Sequence, residues 1–135
     1  MTLSRLLLIS TSTVHGTAYL EHAAEEIRGV LAGCSGVVFV PYALKDLDAY
    51  AAKARDAFTS MGFSFESAHE AAVPRGAIER APSVFMGGGN TFRLLDNLYR
   101  LDLIEPIRRR VAEGTPYLGA SAGSLINVLV YRLPL

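Results

Sequence analysis

Short apolar runs alternate along this chain with longer stretches whose apolar residues recur at helical spacing. Leu6 to Ile9, Val37 to Val40, Phe63 to Phe65, Val84 to Met86 and Tyr117 to Gly119 are runs of strand length. Several are apolar on consecutive residues, the pattern of strands covered on both faces. Between them, Leu20, Ala23, Ala24, Ile27, Val30 and Leu31 fall on one face of a helix. Leu47, Tyr50, Ala51, Ala54, Ala57, Phe58 and Met61 repeat that spacing, with Asp46 placed as an N-cap and Gly62 as the stop. A short helix is expected after Pro74. Phe92, Leu94, Leu95 and Leu98 form a stripe after Asn90-Thr91, and Ile104, Ile107 and Val111 form another. Asp102 and Glu105 stand at capping-box spacing before that last helix, and Gly114 ends it. Strand and helix alternating through to a fifth strand predict a parallel sheet with right-handed crossovers and helices on both faces, an α/β sandwich.

The 135 residues fit one domain, and no repeat, linker or low-complexity tract divides them. Half the residues are hydrophobic and 19% are charged, so the chain can bury enough apolar surface to fold. Thirteen basic and thirteen acidic residues cancel, which argues against a nucleic acid or an anionic membrane as partner. The longest basic run, Arg108-Arg109-Arg110, reads as a solvated helix face. A single cysteine, Cys34, cannot make an internal disulfide or a cysteine metal cage, and fits a reducing compartment. No apolar stretch is long enough to span a bilayer, and Leu6-Leu7-Leu8-Ile9 is too short for a signal-peptide core. A cytoplasmic protein is expected, with no metal or other cofactor.

Ligands of open parallel sheets gather at the carboxyl ends of the strands, and two motifs fall there. Gly119-Ala120-Ser121-Ala122-Gly123 follows the fifth strand and fits G-x-S-x-G, the elbow that thrusts a serine Oγ out of a cramped strand-to-helix turn. Met86-Gly87-Gly88-Gly89-Asn90-Thr91-Phe92 follows the fourth strand and opens a helix. Its glycines expose backbone N–H groups beside a helix N-terminus, which suits an oxyanion hole or a phosphate cradle. It lacks the Lys and Ser/Thr ending of a P-loop and the spacing of a dinucleotide loop.

These two motifs together resemble those of peptidase E, the aspartyl dipeptidases of serine peptidase family S51. Leu8-Ile9-Ser10-Thr11-Ser12-Thr13, Tyr19-Leu20-Glu21-His22-Ala23 and Val38-Phe39-Val40-Pro41-Tyr42-Ala43 are similar too, so the resemblance runs from about Leu6 to Ser124. It implies a three-layer, class I glutamine-amidotransferase-like fold and a cytosolic enzyme that cleaves dipeptides with N-terminal aspartate through an acyl-enzyme. Ser121 matches the nucleophile, and the N–H groups of Ala122 and of Gly88 or Gly89 match the oxyanion hole. Ala120 stands where bacterial members commonly carry Trp, a change in the pocket wall.

The resemblance also implies that residues 1–135 are the N-terminal part of such a domain, truncated after the elbow. Family members continue past the serine and carry an acidic residue and the catalytic histidine there, whereas the eleven residues after Ser124 contain no His, Asp or Glu. A serine hydroxyl is a poor nucleophile without an adjacent base, so weak activity or none is expected of these residues alone. His15, in the loop after the first strand, His22, on the first helix, and His69, after the third strand, are the histidines present; His69 is the candidate base. The alternative reading is a non-catalytic relative acting as a binding or assembly module. A further alternative makes Cys34 the nucleophile of an amidotransferase-like domain, although it precedes a strand rather than sitting in an elbow. Without the further strands of the family, an open apolar edge is expected, and with it self-association or a complementing chain.

Overall fold

The computed structural model describes residues 6–9, 19–120 and 123. Their elements run β1 (Leu6–Ile9), α1 (Ala24–Val30), β2 (Gly36–Val40), α2 (Leu47–Ser60), β3 (Ser64–Ser67), α3 (Pro74–Glu79), β4 (Val84–Met86), α4 (Thr91–Arg100), α5 (Ile104–Ala112) and β5 (Tyr117–Ala120). Single 3-10 turns at Glu21–Ala23 and Ala68–Glu70 precede α1 and α3. The five strands form one parallel sheet in the order β1-β5-β4-β2-β3. Its register sets Leu6 beside Tyr117, Val84 beside Tyr117, Val38 beside Val84, and Val37 beside Phe65.

Handedness explains which helix covers which face. The paths from β1 to β2 and from β2 to β3 move one way across the sheet, while those from β3 to β4 and from β4 to β5 move back. Right-handed crossovers must therefore put α1 and α2 on one face and α3, α4 and α5 on the other. The two cores agree. Val37, Phe39, Phe85 and Leu118 pack with Ile27 of α1, Leu31 just after it, and Ala54 and Phe58 of α2. Val38, Val40, Val84, Met86 and Tyr117 pack with Ile78, Leu94, Leu98, Ile107 and Val111 of the other three helices. The central strands are buried on consecutive residues because both faces are covered, as their unbroken apolar runs require.

Helix ends follow local chemistry. The Asp46 carboxylate accepts the Ala49 N–H at 3.0 Å, and α2 stops in a left-handed residue, Gly62 (φ 96°), with the Phe63 N–H bonded back to the Phe58 carbonyl. Three expectations fail. The first apolar stripe is a 3-10 turn followed by a helix of only 7 residues, because Leu20, at φ 61°, breaks the run. Asp102 does not cap α5. It takes the left-handed position that ends α4 (φ 55°), where the Leu103 N–H returns to the Leu98 carbonyl, and its carboxylate holds Arg75 at 2.5 Å. Phe92 points to solvent at 85% exposure, because the buried stripe of α4 runs through Leu94 and Leu98.

Candidate active site

The chain turns to opposite faces of the sheet after β2 and after β4, which are neighbours, so a crevice opens between them at the carboxyl edge. The glycine loop lies there. Its Gly87 N–H bonds the Val40 carbonyl at 3.2 Å, and its Asn90 N–H bonds the Ala43 carbonyl at 2.9 Å, which staple it to the loop after β2. The Asn90 side chain then accepts the Arg93 N–H at 2.9 Å and starts α4. Gly89 sits at φ 143°, and a Cβ there would lie 2.7 Å from the Ala43 carbonyl oxygen. Gly87 and Gly88 are buried while Gly89 and Asn90 are exposed, so the loop rises to the surface at Gly89.

Under the loop stands Tyr50 of α2. A side chain on Gly87 would run into its hydroxyl, and Phe39 would sit 2.9 Å away on the other side. The Tyr50 oxygen accepts the Tyr19 hydroxyl at 3.3 Å, and the Gly88 backbone N–H faces it. Burial pushes this phenol above its ordinary 10, and the two donors partly oppose that shift. The sequence lists Tyr50 only as one member of an apolar helical stripe. Nothing in the periodicity says that its oxygen meets the glycine loop.

The second motif leaves β5 next door. Met86 pairs with Gly119 across the sheet, so the glycine loop and the G-x-S-x-G turn start about 5 Å apart. Ser121 and Ala122 lie outside the described residues. On either side of them, Ala120 closes β5 fully buried, and Gly123 lies so near β4 that a Cβ would collide with the Met86 carbonyl. The buried Tyr117 hydroxyl donates to the Gly123 carbonyl at 2.8 Å, beside the Met86 sulfur at 3.5 Å. The final glycine of the motif is thus wedged against the residue that opens the glycine loop.

His15 lies outside the described residues, and His22 is exposed on the turn before α1. His69, the candidate base, follows edge strand β3, three strand spacings from β5, or about 14 Å. Its ring nitrogens meet the buried Ser67 hydroxyl at 2.5 Å and the exposed Asp48 carboxylate at 2.8 Å, and Glu70 beside it pairs with Arg55 at 2.5 Å. Asp48, His69 and Glu70 offer ligand atoms within 4.8 Å of one another. Their partners make this a clasp between α2 and the end of β3. Cys34 precedes β2 at the opposite, amino edge of the sheet, with its thiol 3.6 Å from the Pro82 carbonyl, so it does not face the glycine loop. The arginine triplet divides its roles. Arg108 meets Glu105 at 3.7 Å, Arg110 reaches Glu113 and the Ala81 carbonyl, and Arg109 is exposed.

Among the described residues, no helix is long and apolar enough to cross a membrane. The chain is 47% identical over 119 residues to "Peptidase E" of Streptomyces coelicolor, covering 88% of this chain and 49% of that protein. It is 46% identical over 122 residues to the "Probable alpha-aspartyl dipeptidase" of Drosophila melanogaster, covering 88% and 51%. The chain therefore spans about half the length of these curated relatives. A solved peptidase from an acI-B1 actinobacterium superposes with a TM-score of 0.70 at 17% identity, covering 90% of this chain and 55% of that one, which bears on the fold alone. The model of peptidase family S51 matches residues 6–130, and that span, which includes both strand-end loops, makes this chain a member of the family.

Proposed function

We propose that this chain contributes the nucleophile half of a serine-type dipeptidase that acts on short peptides with N-terminal aspartate. The observation that carries the reading is the adjacency of the two loops: they leave neighbouring parallel strands, and Gly123 packs on Met86. In this reading the Ser121 Oγ attacks the peptide carbonyl carbon. A new C–O bond forms, the hydroxyl proton passes to a base, and negative charge collects on the carbonyl oxygen. The N–H groups of Ala122 and Gly89 receive that charge. Gly88 is the weaker donor, because its N–H is directed at Tyr50. The C–N bond then breaks as the base returns its proton to the departing amine. Water releases the aspartyl ester by the same steps in reverse.

The base is proposed to come from polypeptide that the relatives carry and these 135 residues do not span, because the described histidines lie off the site. The same polypeptide is the proposed cover for β1, an edge strand whose Leu6 and Leu8 are 39% and 43% exposed. Without it, a second copy of the chain is the expected occupant of that edge. A cytoplasmic setting fits this chemistry. The position of His69 favours a second reading for the 135 residues alone, a module that binds or assembles without hydrolysis.

One experiment separates the two. Purified chain is incubated with an Asp-Leu dipeptide and, separately, with a fluorophosphonate probe, with Ser121→Ala as control. Hydrolysis and labelling that both vanish in the variant support the dipeptidase. No labelling of Ser121, with or without a complementing segment, overturns it and leaves the module.

A further inference from the structure

We infer that Tyr50 is a positioning residue for the glycine loop: its hydroxyl, anchored by Tyr19, takes the Gly88 N–H and fills the space that Gly87 leaves open, which sets the loop so that Gly89 faces the crevice. The catalytic part of this inference rests on the proposed dipeptidase reading, while the structural part stands without it.

Three observations meet at one oxygen. The hydroxyl lies where a Gly87 side chain would be, and the phenol Cζ would be 2.8 Å from that added carbon, so post and loop fit only while position 87 is bare. The oxygen accepts the Tyr19 hydroxyl at 3.3 Å, and the Gly88 N–H faces it from the loop. The ring beneath is fixed edge-on against Phe39, with centroids 4.9 Å apart at 88°, and Tyr50 is 6% exposed. The aromatic stem carries the oxygen from the helix up to the loop, and packing fixes both side-chain torsions that precede it. The Gly88–Gly89 unit lies between two held ones, since the Gly88 N–H faces Tyr50 and the Asn90 N–H is bonded to the Ala43 carbonyl. The Gly88–Gly89 unit is thereby turned before any substrate arrives, the kind of preorganisation on which charge stabilisation depends. Tyr19 extends the linkage. It stands at the start of the first helical turn and touches Tyr50 edge-on at 6.1 Å between ring centroids, so α1, α2 and the loop share one polar contact point.

The test is Tyr50→Phe, which keeps the ring against Phe39 and deletes the oxygen alone. In an amide NMR spectrum of the folded chain, the Gly88 N–H is expected to shift upfield and its solvent exchange to quicken at least tenfold, while amides of β2 and β4 stay put. Labelling of Ser121 by the fluorophosphonate is expected to slow about tenfold. That is less than the 100- to 1000-fold loss typical when an oxyanion donor is deleted, because Gly89 is displaced rather than removed. Dipeptide turnover should lose kcat about tenfold with KM within twofold, a split that general loosening does not produce. Tyr19→Phe, which removes only the outer donor, should give a smaller change in the same direction. An unchanged Gly88 amide in Tyr50→Phe overturns the inference. So does an unchanged labelling rate, if wild-type Ser121 labels. If wild-type Ser121 does not label, the dipeptidase reading falls, and the Gly88 amide alone decides whether Tyr50 holds the loop.

Discussion

Replacing Gly87 by alanine should be among the most damaging single-methyl additions to this protein. Gly87 has no left-handed φ, so the backbone itself tolerates alanine and the effect is steric alone. The added carbon would lie 2.8 Å from the Tyr50 Cζ and 2.9 Å from the Phe39 Cε1, with the Tyr50 hydroxyl nearer still. Phe39 is fully buried and stacked on Phe85, and Tyr50 is almost fully buried and held edge-on between Phe39 and Tyr19, so neither can swing aside. Overpacking of this kind typically costs about 1–3 kcal/mol. A value near 2 kcal/mol lowers the melting temperature of a chain this size by roughly 8 °C. Urea denaturation of Gly87→Ala, Tyr50→Leu and the double variant tests the reasoning. Shortening Tyr50 frees the space, so the double variant should be about 1 kcal/mol more stable than the sum of the single losses predicts. Gly29→Ala is the control: a Cβ there meets nothing within 4 Å on an exposed helix, and it should stabilise by about 0.5–1 kcal/mol. A Gly87→Ala protein within 0.5 kcal/mol of wild type, or losses that simply add, would show that the loop and Tyr50 are not in forced contact.

Tyr42 is 4% exposed, and its hydroxyl has no hydrogen-bond partner among the described residues, so Tyr42→Phe should raise stability by about 1 kcal/mol in urea melts; a loss would reveal a hidden partner. Burial pushes the Tyr42 phenol up to about 12 and that of Tyr50 above its ordinary 10. The folded state therefore holds protons that the unfolded state releases, and stability should fall as pH rises from 10 towards 12, less steeply in Tyr42→Phe. Ser67→Ala removes a fully buried hydroxyl from His69 and should cost about 1–2 kcal/mol. Asp48→Ala, at the 91% exposed end of the same clasp, should stay within about 0.5 kcal/mol in the same melts. Equal losses at the two ends would contradict that division.

The parts of the fold that read directly from sequence are those decided locally. Val37 to Val40 and Val84 to Met86 read as strands because burial on both faces leaves no polar position to confuse the pattern. Asp46 caps its helix because a short polar side chain beside free N–H groups settles the matter within four residues. Asp102 and Phe92 were misread because distant or competing demands won there. Arg75, far back in the chain, draws the Asp102 carboxylate, and Leu103 must drop back onto Leu98. The two loops were legible as motifs, and the sheet order made them neighbours. The linkage from Tyr19 through Tyr50 to Gly88 was invisible, because it joins three segments brought together only by the crossing of α1 and α2 over one face.

The sheet order also carries a kinetic consequence. Among the described residues, β1 has only β5, the last strand in the chain order, as a neighbour: Leu6 lies beside Tyr117, more than a hundred residues later. Strands β2, β3 and β4 with their helices can assemble among themselves while β1 waits, tethered and unpaired, until β5 emerges. Closing so long a loop is entropically late work, and the amino-terminal strand should gain protection from hydrogen exchange after the centre of the sheet has done so.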